Sequence, residues 1–292
     1  MTKENPNSNV IKMPRRTSRS RAGASPAERL RMAKEKIYEA WETTGEARMR
    51  LAKEALAFSE DCADAYLLLA AASDDGQKRI EHCRQAVAAG VRALGVDWES
   101  KYKGICWVAD ETRPVMRAQA QLAMELEEEK NFEEALTIFR KLMTLNPNDN
   151  QGIRYLLISC LYRADCGDEL ESILKKNSGD TSATVLYTKA LHFFRKDGSS
   201  KRSDKALKDA FKENKYVPIF LSDTVELPDE PPSSIGFGDD REAVAYVMAD
   251  YDLWWCTEGA TAWMAQKLES SIRKSFDDKE LVDDATAALL GN

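Results

Sequence analysis

The sequence predicts an all-α protein built from successive helical hairpins. No proline occurs between Pro26 and Pro114 or between Pro147 and Pro218. These two stretches are rich in Ala, Leu, Glu, Lys and Arg and poor in consecutive Val, Ile or Thr, a composition that favours helix over strand. Apolar residues recur three and four apart, and no long segment alternates with period two. The three observations together predict helices and no sheet.

The clearest helical period lies in residues 111–157. The first helix there carries its apolar residues three and four apart at Val115, Ala118, Leu122 and Leu126. After a break at Lys130-Asn131 the spacing returns at Phe132, Ala135, Leu136, Phe139, Leu142 and Met143. Pro147 cannot continue that second helix, and the Asn and Asp side chains around it can bond to nearby backbone groups. We therefore predict a hairpin closed at 146–149 by turn and cap chemistry, with a third helix from Asn150.

The preceding part of the chain predicts two further hairpins. Ser25 has the pattern of an N-cap, with Pro26 at the first helical position and Glu28 at the third. Gly45 breaks the helix that follows. The first predicted hairpin has helices over 26–43 and 47–58. The loop 61–66 begins the second hairpin, whose later helix runs over 77–94. The period is lost over 95–110, where three aromatic residues, Trp98, Tyr102 and Trp107, predict an insertion packed onto the helices.

The later part of the chain keeps the same register. Ala123, Leu157 and Ala190 follow one another at nearly equal intervals. A further hairpin ends at Pro218 and is followed by the proline-rich loop 227–240. Two more helices are predicted over 241–255 and 258–275, where three tryptophans, Trp254, Trp255 and Trp263, could form a terminal cap. We expect Ala123 and Ala190 to lie where the two helices of a pair come closest.

The central hairpin resembles the tetratricopeptide repeat (TPR), a 34-residue helix-turn-helix unit. Ala123, Ala135, Phe139 and Pro147 stand at the offsets of its small residues, aromatic and closing proline. The resemblance implies an α-solenoid in which the first helix of each pair lines a concave groove. The sequences ETRP at 111–114 and NPNDNQGIRYLL at 146–157 are also similar to the suppression-of-tumorigenicity family of TPR-like proteins, over about residues 30–265. That family implies a protein-interaction role without established chemistry.

We predict four regions on this basis. Residues 1–26 form a disordered basic tail, and residues 27–226 form TPR-like helical repeats that contain the insertion 95–110. Residues 227–276 supply the proline-rich loop and a C-terminal helical cap, and residues 277–292 are a C-terminal tail. The N-terminal tail differs in charge from the body. It carries six basic side chains and one acidic one, although acidic side chains outnumber basic ones by 49 to 42 over the whole chain.

Composition also narrows the class of protein. An acidic body is a poor general binder of nucleic acid. The six cysteines form no CxxC pair, and with two histidines they match no familiar zinc pattern. Neither His82 nor His192 has a partner at ligand or triad spacing. No stretch reads as a signal peptide or a membrane span, although eukaryotic members of the resembled family are associated with membranes. We expect a cytoplasmic protein with no cofactor, no metal and no enzymatic activity.

The TPR register predicts which side chains face the groove. They are Arg113, Arg117, Met124, Gln151, Arg154, Tyr187 and Phe194. One end of this set is basic and the other apolar, which suits an extended peptide with an acidic group followed by apolar side chains, because an arginine fork recognises carboxylates. The alternative is that the three arginines pair with acids of the chain itself, such as Glu111 or Asp149. We expect Glu127-Glu128-Glu129 and Asp277-Asp278 to be solvated.

Two functions remain open from the sequence. The first is an interaction scaffold that binds a peptide or a partner helix in its groove. The second is a regulator whose solenoid binds a protein while the arginine-rich segment 15–21 contacts DNA or RNA. Contact between the tail and phosphates would weaken steeply with salt and vanish on deletion of residues 1–26.

Overall fold

The computed structural model describes residues 23–291, and this part of the chain contains fifteen α-helices and no strand. The all-α prediction is therefore confirmed for the described residues. Residues 1–22 lie outside them, so most of the predicted basic tail is not described. The chain divides into two compact units at Gly95 and Val96.

The first unit holds four helices. They are α1 (Pro26–Trp41), α2 (Gly45–Phe58), α3 (Ala63–Ala71) and α4 (Gly76–Leu94). The predicted cap of α1 is confirmed, because the Ser25 side chain accepts from the Glu28 backbone N–H while the Glu28 carboxylate accepts from that of Ser25. Helix α1 packs against α2, and α3 against α4. Buried Ala33, Ile37 and Ala55 lie in the core between the helices.

The second unit begins with the insertion that interrupts the period. It forms a short helix α5 (Trp98–Lys101), a series of turns and a 3-10 turn over Asp110–Thr112. Trp98 is fully buried, and Tyr102 is buried with its hydroxyl donating to Glu111. The insertion is therefore packed, as its aromatic residues predict.

Most of the second unit consists of helices that pack against their neighbours in the chain. They are α6 (Arg113–Glu128), α7 (Phe132–Leu145), α8 (Ile153–Arg163), α9 (Gly167–Lys176), α10 (Ala183–Asp197), α11 (Lys201–Glu213) and α12 (Val217–Leu221). Helix α6 packs against α7, and α10 against α11. Ala123 and Ala190 are both fully buried, as are Ala135 and Phe139. The alanines at 123, 135 and 190 are small, which lets the paired helices pack closely at these positions.

The unit ends with α13 (Asp240–Trp255), α14 (Ala260–Ser275) and α15 (Lys279–Leu290). Helix α15 occupies most of the segment for which the sequence predicts only a tail, and it buries Val282, Ala285 and Leu289. Asp278 is exposed, as the sequence predicts, and its carboxylate accepts from the Leu281 N–H and caps this helix. A carboxylate at a helix N-terminus satisfies an otherwise unpaired backbone donor.

Helix α13 is anchored at its start by the buried carboxylate of Glu242. That carboxylate accepts from the backbone N–H of Ala183 and from the side-chain amide of Asn214, each at 2.9 Å, and from the N–H of Gly238 at 2.7 Å. These bonds join α13 to the start of α10, to the residue after α11 and to the proline-rich loop. Helix α13 packs against both α10 and α8.

Candidate functional site

A cleft of about 930 Å³ opens in the second unit between α6 and the last turns of α13, beside the end of α8. Its lining combines apolar, aromatic and charged side chains. They are Gln121, Met124, Glu125, Glu127, Glu128, Lys130, Phe132, Tyr162, Arg163, Arg195, Ala249, Asp252, Leu253, Cys256, Thr257 and Glu258. A volume of this size is typical of ligand-binding clefts.

One wall of the cleft is a single face of α6. Gln121, Met124, Glu125 and Glu128 follow one another at intervals of three, one and three residues, which places them together on a helix surface. The Gln121 amide donates to the Glu125 carboxylate at 2.8 Å and holds that acid along the helix. Met124 is half-buried, whereas Glu128 is exposed. This wall therefore presents an apolar side chain flanked by carboxylates.

The opposite wall depends on a kink in α13. Asp250 has φ −128° and ψ 15°, so the helix breaks there and continues in a new direction. The carbonyl of Ala249, at the kink, accepts a hydrogen bond from the Arg163 guanidinium at 2.7 Å. A side chain that inserts into the helical hydrogen-bond ladder is a common cause of such a kink. Beyond it, Asp252, Leu253 and Cys256 line the cleft.

Arg163, at the end of α8, connects both walls. Its guanidinium pairs with Glu127 at 2.8 Å, with Asp250 at 3.2 Å and with both carboxylate oxygens of Asp252, at 3.0 and 2.7 Å. Burial alone would lower the pKa of Arg163, but the hydrogen bond to Asp252 and the charges of the other acids raise it instead. Arg163 therefore stays charged and holds α6, α8 and α13 together.

Asp250 is the most enclosed of these acids, with 1% of its surface exposed. The Ser159 hydroxyl donates to it at 2.9 Å. Burial raises the pKa of Asp250 to about 7, against the lowering effects of Arg163 and Ser159. Burial likewise raises the pKa of Glu127 despite its pairing with Arg163. Glu127 is thus a half-buried structural acid, and the prediction that it is solvated was wrong.

A second group of contacts closes the end of the cleft near α10. The hydroxyls of Tyr162 and Thr257 are 2.7 Å apart, within hydrogen-bond distance. Arg195 donates to the carbonyl of Tyr162 at 2.9 Å, and its guanidinium lies 3.7 Å from the centre of the Tyr162 ring. Arg195 also pairs with Asp165 at 3.3 Å. Its charge is therefore engaged within the chain.

The structure brings one of the seven predicted groove residues, Met124, into this cleft. Arg113 instead donates to the carbonyl of Trp107 and pairs with Asp110 at 2.9 Å. Arg117 is half-buried on α6 and has interactions of its own. Gln151 is half-buried, and its side-chain oxygen makes no hydrogen bond within the described residues.

Arg154 follows the alternative that the sequence left open. It pairs with Asp149 at 2.8 Å and with Asp180 at 2.9 Å, and all three side chains are mostly buried. Asp149 also accepts from the Ile153 and Arg154 backbone N–H groups, so it caps the start of α8. This cap agrees with the predicted turn and cap chemistry of the segment 146–151. The guanidinium of Arg154 is committed to acids of the chain itself.

Tyr187 and Phe194 were predicted to face an open groove, and this was wrong for Tyr187. It is fully buried, its ring centre lies 5.7 Å from that of Tyr246 on α13, and its hydroxyl donates to the Asn214 carbonyl at 2.7 Å. Phe194 stacks on Trp263 of α14 at 4.4 Å. The C-terminal helices thus cover the face of α10 that the TPR register leaves for a partner.

The residues that sequence reasoning missed are those of α13 and the end of α8. Asp252, Leu253 and Cys256 come far after Arg163 in the chain, and no local pattern predicts that they meet it. A weak signal was present on α6, where Met124 and Glu128 lie four apart on one face. Their spacing places an apolar and an acidic side chain together, but it does not indicate what faces them.

Neither a metal site nor a membrane span is found in the part of the chain that the structure describes. No group of three or more His, Cys, Asp or Glu side chains there is placed to hold a metal ion. His192 is buried, with its Nε2 atom 3.8 Å from Glu171, beyond hydrogen-bond distance, and burial lowers its pKa. Between residues 23 and 291, no helix combines the length and the apolar composition that a membrane crossing requires.

Comparison with known proteins gives a distant relationship. No protein-family model matches the chain. It is 26% identical over 257 residues to the "Suppressor of tumorigenicity 7 protein-like" of Danio rerio, covering 81% of this chain and 44% of that protein. It is 26% identical over 261 residues to the human protein of the same description, covering 81% and 45%. The chain spans less than half the length of these curated relatives. The resemblance found in the sequence is thus supported at this distance, and the TPR assignment stays a prediction.

Proposed function

We propose that this protein is a non-enzymatic interaction scaffold with a TPR-like α-solenoid, and that its cleft beside α6 holds a peptide or helix of a protein partner. One observation carries the proposal. A cleft of about 930 Å³ is lined by Met124, Phe132 and Leu253 at a junction of several helices. Apolar clefts between helices are a recurrent mode of peptide recognition.

Two further observations support the proposal. Arg163 fixes α6 and α13 on α8 through its pairs with Glu127, which is largely buried, and with Asp252, which is exposed, so the walls of the cleft are formed before a partner arrives. A pre-formed site loses less conformational entropy on binding. The six cysteines all carry free thiols, which suits a reducing compartment such as the cytoplasm.

Affinity capture with the intact chain tests the proposal. Met124→Arg would place a long charged side chain in the cleft, whereas Met143→Arg makes the same change at another half-buried methionine, on α7 outside the cleft. We expect Met124→Arg to lose partners that the unmodified chain and Met143→Arg both capture from a lysate of the native cells. Thermal unfolding of both variants must be compared to exclude misfolding.

Identical partner sets for the two variants, at equal stability, would contradict binding in the cleft. If Met124→Arg lowers the melting temperature more than Met143→Arg does, attaching a bulky maleimide to Cys256 supplies a second block. Cys256 is exposed and lines the cleft, while the other thiols are buried or half-buried. Capture that survives this block would also overturn the proposal.

A further inference from the structure

The charges of the cleft indicate which partner it fits. Its lining contains five carboxylates, those of Glu125, Glu127, Glu128, Asp252 and Glu258, and three cations, those of Lys130, Arg163 and Arg195. Carboxylates therefore outnumber cations around an apolar centre. This balance is opposite to the basic groove that the sequence predicts from Arg113, Arg117 and Arg154.

Two of the three cations are engaged within the chain. Arg163 is shared among Glu127, Asp250 and Asp252. Arg195 lies on the Tyr162 ring and pairs with Asp165. An acidic ligand would have to compete with these contacts, and breaking the largely buried pairs of Arg163 with Glu127 and Asp250 is costly. Arg163 and Arg195 are thus poorly placed to recognise a carboxylate or a phosphate, and Lys130 is the exposed cation of the lining.

Three acids of the lining are exposed, against one cation, Lys130. Glu128, Asp252 and Glu258 are exposed, and they come from α6, from the end of α13 and from the turn after it. Glu128 lies one turn after Met124 on α6, and Asp252 directly precedes Leu253 on α13. A ligand that fills the apolar centre therefore meets carboxylates on both sides.

We propose that the occupant of the cleft is a basic amphipathic peptide segment, whose apolar side chains contact the half-buried Met124 and Phe132 while its Lys or Arg side chains reach Glu128, Glu258 and Asp252, whose carboxylate also binds Arg163. This inference rests on the proposed function, and it names the chemistry of the partner. Complementary charge raises the rate of association and excludes partners of the wrong sign. Acidic peptides and nucleic acids are excluded by the same carboxylates.

Two synthetic peptides test this chemistry on the full chain. Both carry the same leucine stripe at helical spacing, and they differ only in having lysine or glutamate at the flanking positions. We expect the lysine peptide to bind, with affinity that falls as salt rises, and to slow the reaction of Cys256 with a maleimide. Peptide mapping by mass spectrometry separates Cys256 from the half-buried Cys166. The glutamate peptide should bind at least about tenfold more weakly.

A pair of charge-reversed variants locates the contact. Glu128→Lys with Glu258→Lys reverses two exposed acids of the rim, and Asp229→Lys with Glu230→Lys reverses two exposed acids of the proline-rich loop outside the cleft. We expect the rim variant to lose affinity for the lysine peptide about tenfold or more and to gain affinity for the glutamate peptide. The loop variant should bind both peptides as the unmodified chain does.

The outcomes separate this inference from the proposed function. Equal binding of both peptides, preference for the glutamate peptide, or equal effects of the two variants would overturn the basic-peptide inference. Binding of neither peptide would overturn it as well. If partners captured from the lysate still depend on Met124 in that case, the scaffold stands and the chemistry of its ligand is different.

Discussion

Ser159 on α8 donates a hydrogen bond to the buried carboxylate of Asp250 at the residue where α13 kinks, with 2.9 Å between the two oxygens. The same carboxylate pairs with Arg163, which lies one turn after Ser159 on α8. Arg163 also donates a hydrogen bond to the Ala249 carbonyl. One turn of α8 thus binds both the Asp250 carboxylate and the backbone at the kink. This relationship fixes the direction of the wall that Leu253 and Cys256 give to the cleft.

We expect Arg163→Met to destabilise the protein by about 3–5 kcal/mol, because it leaves the carboxylates of Glu127 and Asp250 enclosed without a cation. Urea unfolding measures the change. Arg140→Met is the control: Arg140 also pairs with an acid on another helix, Glu169, at 2.6 Å, but both side chains are more than one third exposed. That variant should lose no more than about 1 kcal/mol. Equal losses would mean that the network around Arg163 has no special role.

We expect Asp250 to make stability depend on pH. Its pKa is raised to about 7 in the folded protein, while the unfolded chain should titrate near an ordinary value of about 4. Between about pH 4 and pH 7 the folded state binds more protons than the unfolded state. The stabilisation that protonated Asp250 provides is therefore complete below about pH 4 and is lost as the pH rises to about 7. The neighbouring charges are those of Arg163, Asp252 and Glu127.

Asp250→Asn isolates this contribution, since the amide cannot titrate. The difference in unfolding free energy between the unmodified chain and the variant should fall by a few kcal/mol between about pH 4 and pH 7. Thermal or urea unfolding at several pH values measures it. Parallel pH curves for the two proteins would show that Asp250 keeps an ordinary pKa in the fold.

We expect Arg154→Glu to lower stability, because it places a third carboxylate beside Asp149 and Asp180. Only 6% and 13% of these two side chains are exposed, so the loss should reach about 3 kcal/mol or more. Lys205→Glu is the control, because Lys205 and its partner Asp209 are 76% and 56% exposed. Loss of this pair should lower the free energy of unfolding by about 1 kcal/mol or less. If Arg154→Glu left the melting temperature unchanged while partner capture was lost, the predicted groove role of Arg154 would be restored.

We expect Ala123→Leu to cost about 1–3 kcal/mol, because the larger side chain overpacks a position with no exposed surface on α6. Thr137→Leu, on the exposed face of the neighbouring helix α7, should change stability by no more than about 0.5 kcal/mol. The comparison uses the melting temperatures of the two variants. An unchanged melting temperature for Ala123→Leu would show that the two helices of the pair do not approach closely at this residue.

The sequence by itself determined helices such as α1, α6 and α7 and the cap of α1, but it did not predict α15. Spacing of apolar residues predicts α6 and α7 because a helix needs its buried side chains on one face, and the pattern around Ser25 predicts the start of α1 because capping is local. The burial of Ala123 and Ala190 follows from the same periodicity. These features depend on neighbours within a few residues, and such neighbours can be identified in the sequence.

Only the tertiary structure decided where the open surface lies. Tyr187 was expected to face a groove, but α13, which comes much later in the chain, covers it with Tyr246 and Trp254. The sequence did not single out Arg163. This residue of α8 joins three helices because the carboxylates that it binds belong to α6 and α13. Periodicity shows that a side chain lies on a helix face. Which distant segment covers that face depends on packing and on the pairing of buried charges, and neither has a local signature.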